Sequence, residues 1–441
     1  MRLRVELILI MLVVASCATK DSALPPDEDY FLKYYGNDGN QEAVDFVVNV
    51  DGTFVILGNS VSDPSLDQQV YVVKADSKGK IIWEKTLVLW PLGEEAKDIE
   101  VTFDGNLVIA GNSKKGANDR DAFLIRLKQD GTPIDSVRQG LRLSSGLEAD
   151  ENVNSLTQIN QGLVNEGGFI VAGSTTGLSG KSADLTDAMH LRFRNDLSWI
   201  SDASGNWKSR PTFSNGGFEG IETAVKVVQF NNNTYYVFGH SNVRNAGPAT
   251  PGDFDYLVYG RTDQGEPANK ELYIGSTTDN EILTQVSMAI IQSGAGSGYQ
   301  LSGISSPRNS TNTNGFFSKL NKSLSFSNSD IVFSQTIGSS LGGNPYFQAF
   351  NIGSTSGFLI STDKINPISG SDMVLIKYDE SLNLIFEKPF GGVGDDFSGP
   401  VIEFPDGHIV MIGTMTLGGT VDGQKKIALI KLNQAGKLTQ N

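Results

Sequence analysis

The sequence predicts an all-β fold of seven similar four-stranded units, and three observations lead to that prediction. Glycine is abundant, at 49 of 441 residues, and serine, asparagine and aspartate are also frequent, a composition typical of short strands joined by turns. No segment shows a long helical periodicity. An apolar stretch that ends in a small residue recurs along the whole chain, as expected for a repeat protein.

The recurring stretch is a strand of the form FVILGNS or LVIAGNS. We take its small residue as the anchor of each unit: Gly58, Gly111, Gly173, Gly239, Gly303, Ser361 and Gly413. The shortest spacing between anchors is 413 − 361 = 52 residues and the longest is 239 − 173 = 66 residues, which leaves room for four short strands. Seven units of four antiparallel strands predict a seven-bladed β-propeller.

The strands of each unit follow in order. A first strand, such as residues 43–50, is joined to the anchor strand by a turn such as Asp51-Gly52, where glycine supplies a positive φ. The third strand is densely apolar, as in residues 121–127, and is therefore expected to be buried. A polar turn and a fourth strand, such as residues 81–87, complete the unit.

The two ends of the repeat region are expected to close one ring. Residues 30–39 (YFLKYYGNDG) match the fourth-strand stretch at 384–396 (LIFEKPFGGVGDD), and the last unit has little sequence left for a fourth strand of its own. We therefore predict that the N-terminal strand completes the last blade. The propeller would then span residues 29–441 as one domain.

The N-terminus has the features of a targeting signal. Arg2 and Arg4 precede an apolar run from Leu7 to Ala15, too short to span a bilayer but suited to a secretory signal. Val14-Ala15-Ser16-Cys17 resembles the lipobox of bacterial lipoproteins, and it holds the only cysteine of the chain. The resemblance implies removal of residues 1–16, lipidation of Cys17 and a polar tether over residues 17–28. With Ala18 next, it also implies delivery to the outer membrane, in either leaflet.

The repeat region resembles the glycine-rich propeller lipoproteins of Gram-negative bacteria, in motifs such as DAFLIRLKQDG at 121–131 and WEKTL at 83–87. Residues 79–83 are also weakly similar to pyrroloquinoline-quinone-type propeller repeats. These resemblances imply a fold, but propellers serve as enzymes, scaffolds and receptors, so they do not imply a function.

Composition excludes several classes of function. The formal net charge is −15 and no basic run is present, so nucleic acid is not an expected partner. The three histidines, His190, His240 and His408, lie in different units, whereas a zinc site needs three or four donors that converge. We expect no metal and no cofactor, and no catalytic residue can be assigned.

A ring of polar positions is the first candidate for ligand binding. Counting thirteen residues back from the anchors, and further back in the third and fifth units, places the ring on the first strands, at Asp45, Asp98, Asn154, Lys226, Gln285, Gln348 and Pro400. We expect six polar side chains at the start of the innermost strands, around one mouth of the central channel. The alternative is that they are polar because the channel holds solvent.

Two further features can be interpreted structurally or functionally. Trp207, in an insertion over residues 197–220, could stack on a sugar or on an apolar group of a partner. Four aspartates occupy the entry to the third strand: Asp121, Asp187, Asp255 and Asp372. As they lie in four different units, we expect them to cap loop backbone and not to share a calcium ion.

The leading functional hypothesis is a lipid-anchored cell-envelope propeller that acts as a non-catalytic binding or protein-interaction scaffold, with an envelope protein, extracellular protein or glycan as partner. The alternative is an extracytoplasmic carbohydrate-active or other enzyme, or a sugar-binding subunit, with its site at the channel mouth. A third possibility is an assembly scaffold that binds a partner strand at a blade edge. An enzyme should gather acids and a base with perturbed pKa values in one place, whereas a scaffold should present a loop-built patch.

Overall fold

The computed structural model describes most of the chain from residue 29 onward. The described residues are 29–61, 67–116, 119–141, 149–160, 167–176, 185–200, 214–215, 218–231, 234–244, 252–262, 267–291, 296–307, 313–337, 342–352, 355–366, 370–379, 381, 383–418 and 423–439. Within these ranges, no helix is long and apolar enough to cross a membrane.

The strands form seven antiparallel sheets arranged as blades, and an eighth sheet is a short hairpin. Strand β1 is Phe31–Tyr35. Blade 1 holds β2 (Asn40–Val48), β3 (Phe54–Val61), β4 (Gln69–Ala75) and β5 (Ile81–Leu87). Blade 2 holds β6 (Glu94–Val101), β7 (Leu107–Gly116), β8 (Asp119–Leu127) and β9 (Pro133–Gln139). Blade 3 holds β10 (Glu151–Ile159), β11 (Gly168–Thr175) and β12 (Asp187–Phe193), and the hairpin is β13 (Ser214–Asn215) with β14 (Phe218–Glu219).

The second half of the chain follows the same order. Blade 4 holds β15 (Glu222–Asn231), β16 (Thr234–Ser241), β17 (Asp255–Thr262) and β18 (Pro267–Ile274). Blade 5 holds β19 (Asp279–Ile291), β20 (Gly296–Pro307), β21 (Asn314–Asn321) and β22 (Ile331–Ile337), with a 3₁₀ turn at Asn328–Asp330. Blade 6 holds β23 (Gly342–Ile352), β24 (Thr355–Asn366), β25 (Gly370–Asp379) and β26 (Leu384–Phe390). Blade 7 holds β27 (Phe397–Glu403), β28 (Ile409–Leu417) and β29 (Gln424–Leu432), and β1 is its outer strand.

The predicted seven-bladed propeller and its mode of closure are confirmed. Strand β1 pairs antiparallel with β29, with Phe31 opposite Lys431 and Tyr35 opposite Ile427. One blade differs from the prediction. Among the described residues blade 3 has three full strands, and its fourth position is reduced to a bridge between Phe193 and Trp199.

The core lies between neighbouring blades. The second and third strands are buried along nearly their whole length, as in β3 and β4, whereas the outer strand β5 is largely exposed. This is why the third strands read as continuous apolar runs. The junction of blades 7 and 1 packs Phe31 and Ile427 with Phe46 and Tyr71, and each fully buried aliphatic or aromatic side chain of this kind contributes about 1.5–3 kcal/mol.

An aromatic–glycine contact recurs at three blade junctions. The turn that follows the third strand places glycine at positive φ against an aromatic ring of the preceding blade's outer strand: Gly79 against Phe31, Gly131 against Trp83 and Gly436 against Phe386. A Cβ atom on Gly131 would lie 3.0 Å from the Trp83 ring. Trp83 Nε1 also donates to the carbonyl oxygen of Gln129, at 3.0 Å. The glycine of each such turn therefore serves packing between blades as well as the turn itself.

Candidate functional site

The anchor glycines lie opposite a β-bulge in the innermost strand. Gly58 pairs with Ala43, Gly111 with Ala96 and Gly239 with Ala224, and the register of the inner strand shifts directly after each of these alanines. A Cβ on Gly111 would lie 2.1 Å from the carbonyl oxygen of Glu95, and one on Gly239 would lie 1.9 Å from that of Thr223. Only glycine fits there, because the bulge brings the two backbones close together.

The bulges determine where the predicted polar ring lies. Asp45, Asp98, Lys226 and Gln285 each come directly after the register shift. The expectation that the ring lies at the start of the first strand is wrong, since Asp45 is the sixth of nine residues in β2 and Asp98 is the fifth of eight in β6. The ring therefore lies at mid-strand, inside the channel and not at its mouth.

The two aspartates connect each blade to the next one. Asp45 Oδ2 accepts a hydrogen bond from the backbone N–H of Ile99 at 3.3 Å, which joins blade 1 to blade 2. Asp98 Oδ2 accepts from the backbone N–H of Leu156 at 2.7 Å, which joins blade 2 to blade 3. Strands β6 and β10 have a neighbouring strand on one side only, and the carboxylates supply acceptors for backbone donors of these strands.

Lys226 connects three blades at once. Its ammonium group lies 3.3 Å from Asp98 Oδ2 and 3.2 Å from Glu100 Oε1, and it also donates to the carbonyl oxygen of Leu156. Glu100 Oε2 in turn accepts from the backbone N–H of Gln158 at 3.0 Å. The Asp45, Asp98, Glu100 and Lys226 side chains, which we call the channel cluster, thus bond blades 1 to 4 to one another.

The electrostatics of the channel cluster follow from this crowding. Burial, together with the nearby Asp98 carboxylate, raises the pKa of Asp45 well above its usual range. Burial also raises the pKa of Glu100, although the Lys226 ammonium opposes that shift. Burial disfavours the charge on Lys226, but Asp98 and Glu100 together outweigh it and raise the pKa of this lysine. The cluster therefore holds a cation between two carboxyl groups, with Asp45 inclined to keep its proton.

The remaining ring residues are placed differently. Asn154 is the bulged residue itself, and its Nδ2 donates to the carbonyl oxygen of Ala224 at 2.8 Å. The structural equivalent of Asp98 in blade 3 is Ser155, whose hydroxyl donates to the carbonyl oxygen of Val225 at 2.6 Å. Gln348 pairs with Leu359, one residue beyond the equivalent position, and Pro400 lies within the register shift of β27.

Sequence reasoning missed Glu100. It lies two residues after Asp98 on β6, and residues two apart on a strand share a face, so this spacing could have identified it. Two other predicted sites, Cys17 and Trp207, lie outside the described residues. Within the described residues no group of three or more metal-binding side chains is present.

Three of the four third-strand aspartates contact side chains of their own blade, whereas we expected them to cap loop backbone. Asp121 is 3.5 Å from Lys115 and 3.4 Å from Arg138, and Asp255 is 3.3 Å from Arg244. Asp372 accepts a hydrogen bond from the amide of Asn366 at 2.8 Å. Two of them interact with an acid of the next blade. The charge of Asp121 raises the pKa of Glu151, and the charge of Asp255 raises the pKa of Glu281.

Glu151 makes the stability of the protein depend on pH. Burial and the charge of Asp121 raise its pKa from 4.5 to about 9. The folded state therefore keeps a proton that the unfolded chain releases above pH 4.5, so this group's contribution to stability falls as the pH rises from about 4.5 to about 9.

The variant Glu151→Gln is expected to be more stable than the wild type at pH 8.5 by at least about 1 kcal/mol, and equally stable near pH 4.5. The amide is neutral and can still accept the bond that Glu151 Oε1 receives from the hydroxyl of Thr175 at 3.2 Å. Urea unfolding at the two pH values measures the difference. Glu42→Gln, at an exposed ion pair with Lys425, is the control and should show no such divergence.

Comparisons with known proteins place the chain by its fold alone. No protein family matches it, and no curated protein is similar to it. Among solved structures, an α-L-arabinofuranosidase of Fusarium graminearum is 13% identical, with 78% of this chain and 93% of that chain covered and a TM-score of 0.47. A periplasmic gluconolactonase of Pseudomonas aeruginosa is 10% identical (82% and 95% covered, TM-score 0.45). Sqt1 of Chaetomium thermophilum is 10% identical (91% and 100%, TM-score 0.43).

Proposed function

We propose that the protein is a lipid-anchored propeller of the cell envelope that acts as a non-catalytic binding module. The anchor part of this proposal rests on the resemblance of the segment that ends at Cys17 to a lipobox. The same resemblance makes the outer membrane the expected location. The binding part rests on the rigid seven-bladed scaffold, which presents turns and loops on both faces, where recognition usually occurs. An envelope protein, extracellular protein or glycan is the expected partner.

The observation that favours binding over catalysis is the use made of the channel cluster. Asp45, Asp98 and Glu100 each accept a backbone N–H of the following blade, and Lys226 bridges Asp98 and Glu100. Groups committed to joining blades in this way are poorly placed to exchange protons with a substrate.

The enzyme hypothesis keeps one specific observation in its favour. The channel cluster gathers three acids and one base in one place, and burial raises the pKa of Asp45, as expected of a general acid. Asp45 is also partly exposed. If the protein acts on a small polar substrate, this residue is the first candidate for the acid.

The anchor can be tested with the variant Cys17→Ala. Wild-type protein from intact cells should incorporate labelled palmitate and sediment with membranes, whereas the variant should do neither, because its sulfur is missing. Equal sedimentation of both forms without label would contradict the anchor.

Chemical crosslinking of the same two strains, read by mass spectrometry, tests the binding part. The proposal predicts one abundant envelope protein or glycoconjugate crosslinked to the anchored form and much less with Cys17→Ala. If neither form is crosslinked, and a small-molecule screen finds turnover that Asp45→Asn abolishes, the enzyme hypothesis replaces it.

A further inference from the structure

A cavity of about 370 Å³ lies between blades 2 and 3, outside the channel. Blade 2 contributes the turn residues Phe103 and Asp104 together with Arg126 on β8, and blade 3 contributes Gln158, Phe169 and Asn195. This volume falls in the range of small-molecule sites, which are partly apolar clefts with a few fixed polar groups.

The apolar part of the cavity has an unusual exposed ring. Phe169 is buried and forms part of the wall, but the Phe103 side chain is 65% exposed. Its turn is held in place, since the backbone N–H of Phe103 donates to Gln158 Oε1 of the next blade at 2.7 Å. An exposed aromatic side chain on a turn held in this way offers a flat apolar face to a ligand.

Hydrogen bonds within the protein hold the polar side chains of the cavity in place. Arg126 is held by Asp135, with Nε 2.7 Å from Oδ1 and Nη2 bonded to Oδ2. Asp104 accepts from the hydroxyl of Thr102 and from Asn106 Nδ2, at 2.9 Å, and these bonds lower the pKa of Asp104. Gln158 Oε1 is occupied by Phe103, so its Nε2 group is the one that can donate to a ligand.

The charges near the cavity disfavour an anionic ligand. Arg126 is the cation of the cavity, and it interacts with three acids: Asp135, Asp104 and Asp196. The surplus of carboxylates disfavours a phosphate or carboxylate ligand. Hydroxyl groups, by contrast, can donate to Asp104 and accept from Gln158.

We propose that this cavity, the blade 2–3 pocket, binds a neutral sugar residue, with the Phe103 ring against the apolar face of the sugar and Asp104 and Gln158 bonded to its hydroxyls. The inference deepens the proposed binding function by naming glycan as the ligand class, and it rests on that function being non-catalytic. It does not depend on the lipid anchor. Its failure would therefore leave the palmitate and sedimentation results on Cys17 untouched.

The test is saturation-transfer NMR on the full-length protein in detergent, with maltose, cellobiose, lactose and N,N′-diacetylchitobiose as probes. The proposal predicts saturable binding of at least one of them at about 1 mM, with transfer to ring C–H protons. Phe103→Ala should weaken that binding about tenfold, and Asp104→Asn should also weaken it, because each variant loses one contact with the sugar. Phe103→Tyr should preserve the binding, because it keeps the aromatic ring.

Val50→Ala is the matched control. Val50 holds the equivalent turn position in blade 1, is fully exposed and lines no part of the cavity, so binding should be unchanged. Absence of saturable binding to all four disaccharides overturns the proposal, as does binding that survives Phe103→Ala. Binding of the peptide Ac-Lys-Phe-Lys-NH₂ in place of the sugars, lost in Asp104→Asn, would overturn it in favour of a protein ligand.

Discussion

Replacing Gly111 with serine is expected to destabilise the protein by about 3–5 kcal/mol, one of the largest effects of any single substitution. The new Cβ would lie 2.1 Å from the carbonyl oxygen of Glu95 and 2.7 Å from the ring of Phe123. The nearer contact is with backbone, so a side-chain rotation cannot relieve it. Relief requires the two strands to separate at the bulge that directs Asp98 into the channel. Urea unfolding measures the loss.

Ser361→Gly is the matched control for this substitution. Blade 6 naturally has serine at the anchor position, and there the inner strand skips from Gly342 to Tyr346, a longer irregularity than in the other blades. The reverse change should therefore cost no more than about 1 kcal/mol, the usual cost of glycine in a strand. Equal losses for both variants would show that the bulge is not what requires glycine.

Replacing Lys226 with methionine is expected to lower the free energy of unfolding by about 2–3 kcal/mol at pH 7. The variant keeps the length of the side chain but leaves Asp98 and Glu100 without their shared cation, 3.3 and 3.2 Å away in the wild type. It also leaves the carbonyl oxygen of Leu156 without this donor. The loss should shrink at low pH, because burial raises the pKa of Glu100 and the protonated Glu100 no longer needs a cation.

Lys97→Met provides a close comparison. Lys97 is on the inner strand of blade 2, beside Asp98, and forms a 2.6 Å ion pair with Glu95. Its side chain is 28% exposed, against 24% for Lys226. It contacts one acid on its own strand and joins no blades. A solvent-accessible pair of this kind is worth less than about 1 kcal/mol. A loss as large as that of Lys226→Met would attribute the effect to lysine removal in general.

Much of the fold could be predicted from the sequence because the repeat carries it. Anchor residues such as Gly58 and Gly111 mark the position of the bulge, and Asp-Gly turns mark first hairpins. The order of the strands and the number of blades follow from these two markers. The match between residues 30–39 and 384–396 also predicted the strand pairing of β1 with β29.

The site was predicted less completely, for physical reasons. Counting back from the anchors found Asp45, Asp98 and Lys226. In blade 3 the longer first hairpin, between Ile159 and Gly168, changes the count, so it reached Asn154 where Ser155 is equivalent. Nothing in the sequence shows that Lys226 reaches past blade 3 to blade 2, since that contact joins residues 128 positions apart. The blade 2–3 pocket likewise depends on how two blades pack, which no local pattern records.

The most direct test of the account is a double-mutant cycle on unfolding free energy with Asp98→Asn, Lys226→Met and the double variant in the full-length protein. If the channel cluster joins the blades, both single variants destabilise the fold, and the cycle gives a coupling of about 1–3 kcal/mol. A catalytic cluster held at the expense of stability behaves in the opposite way, because removing its charges stabilises the protein. Single variants as stable as the wild type or more stable, with loss of a measurable turnover, would contradict the non-catalytic binding function proposed here.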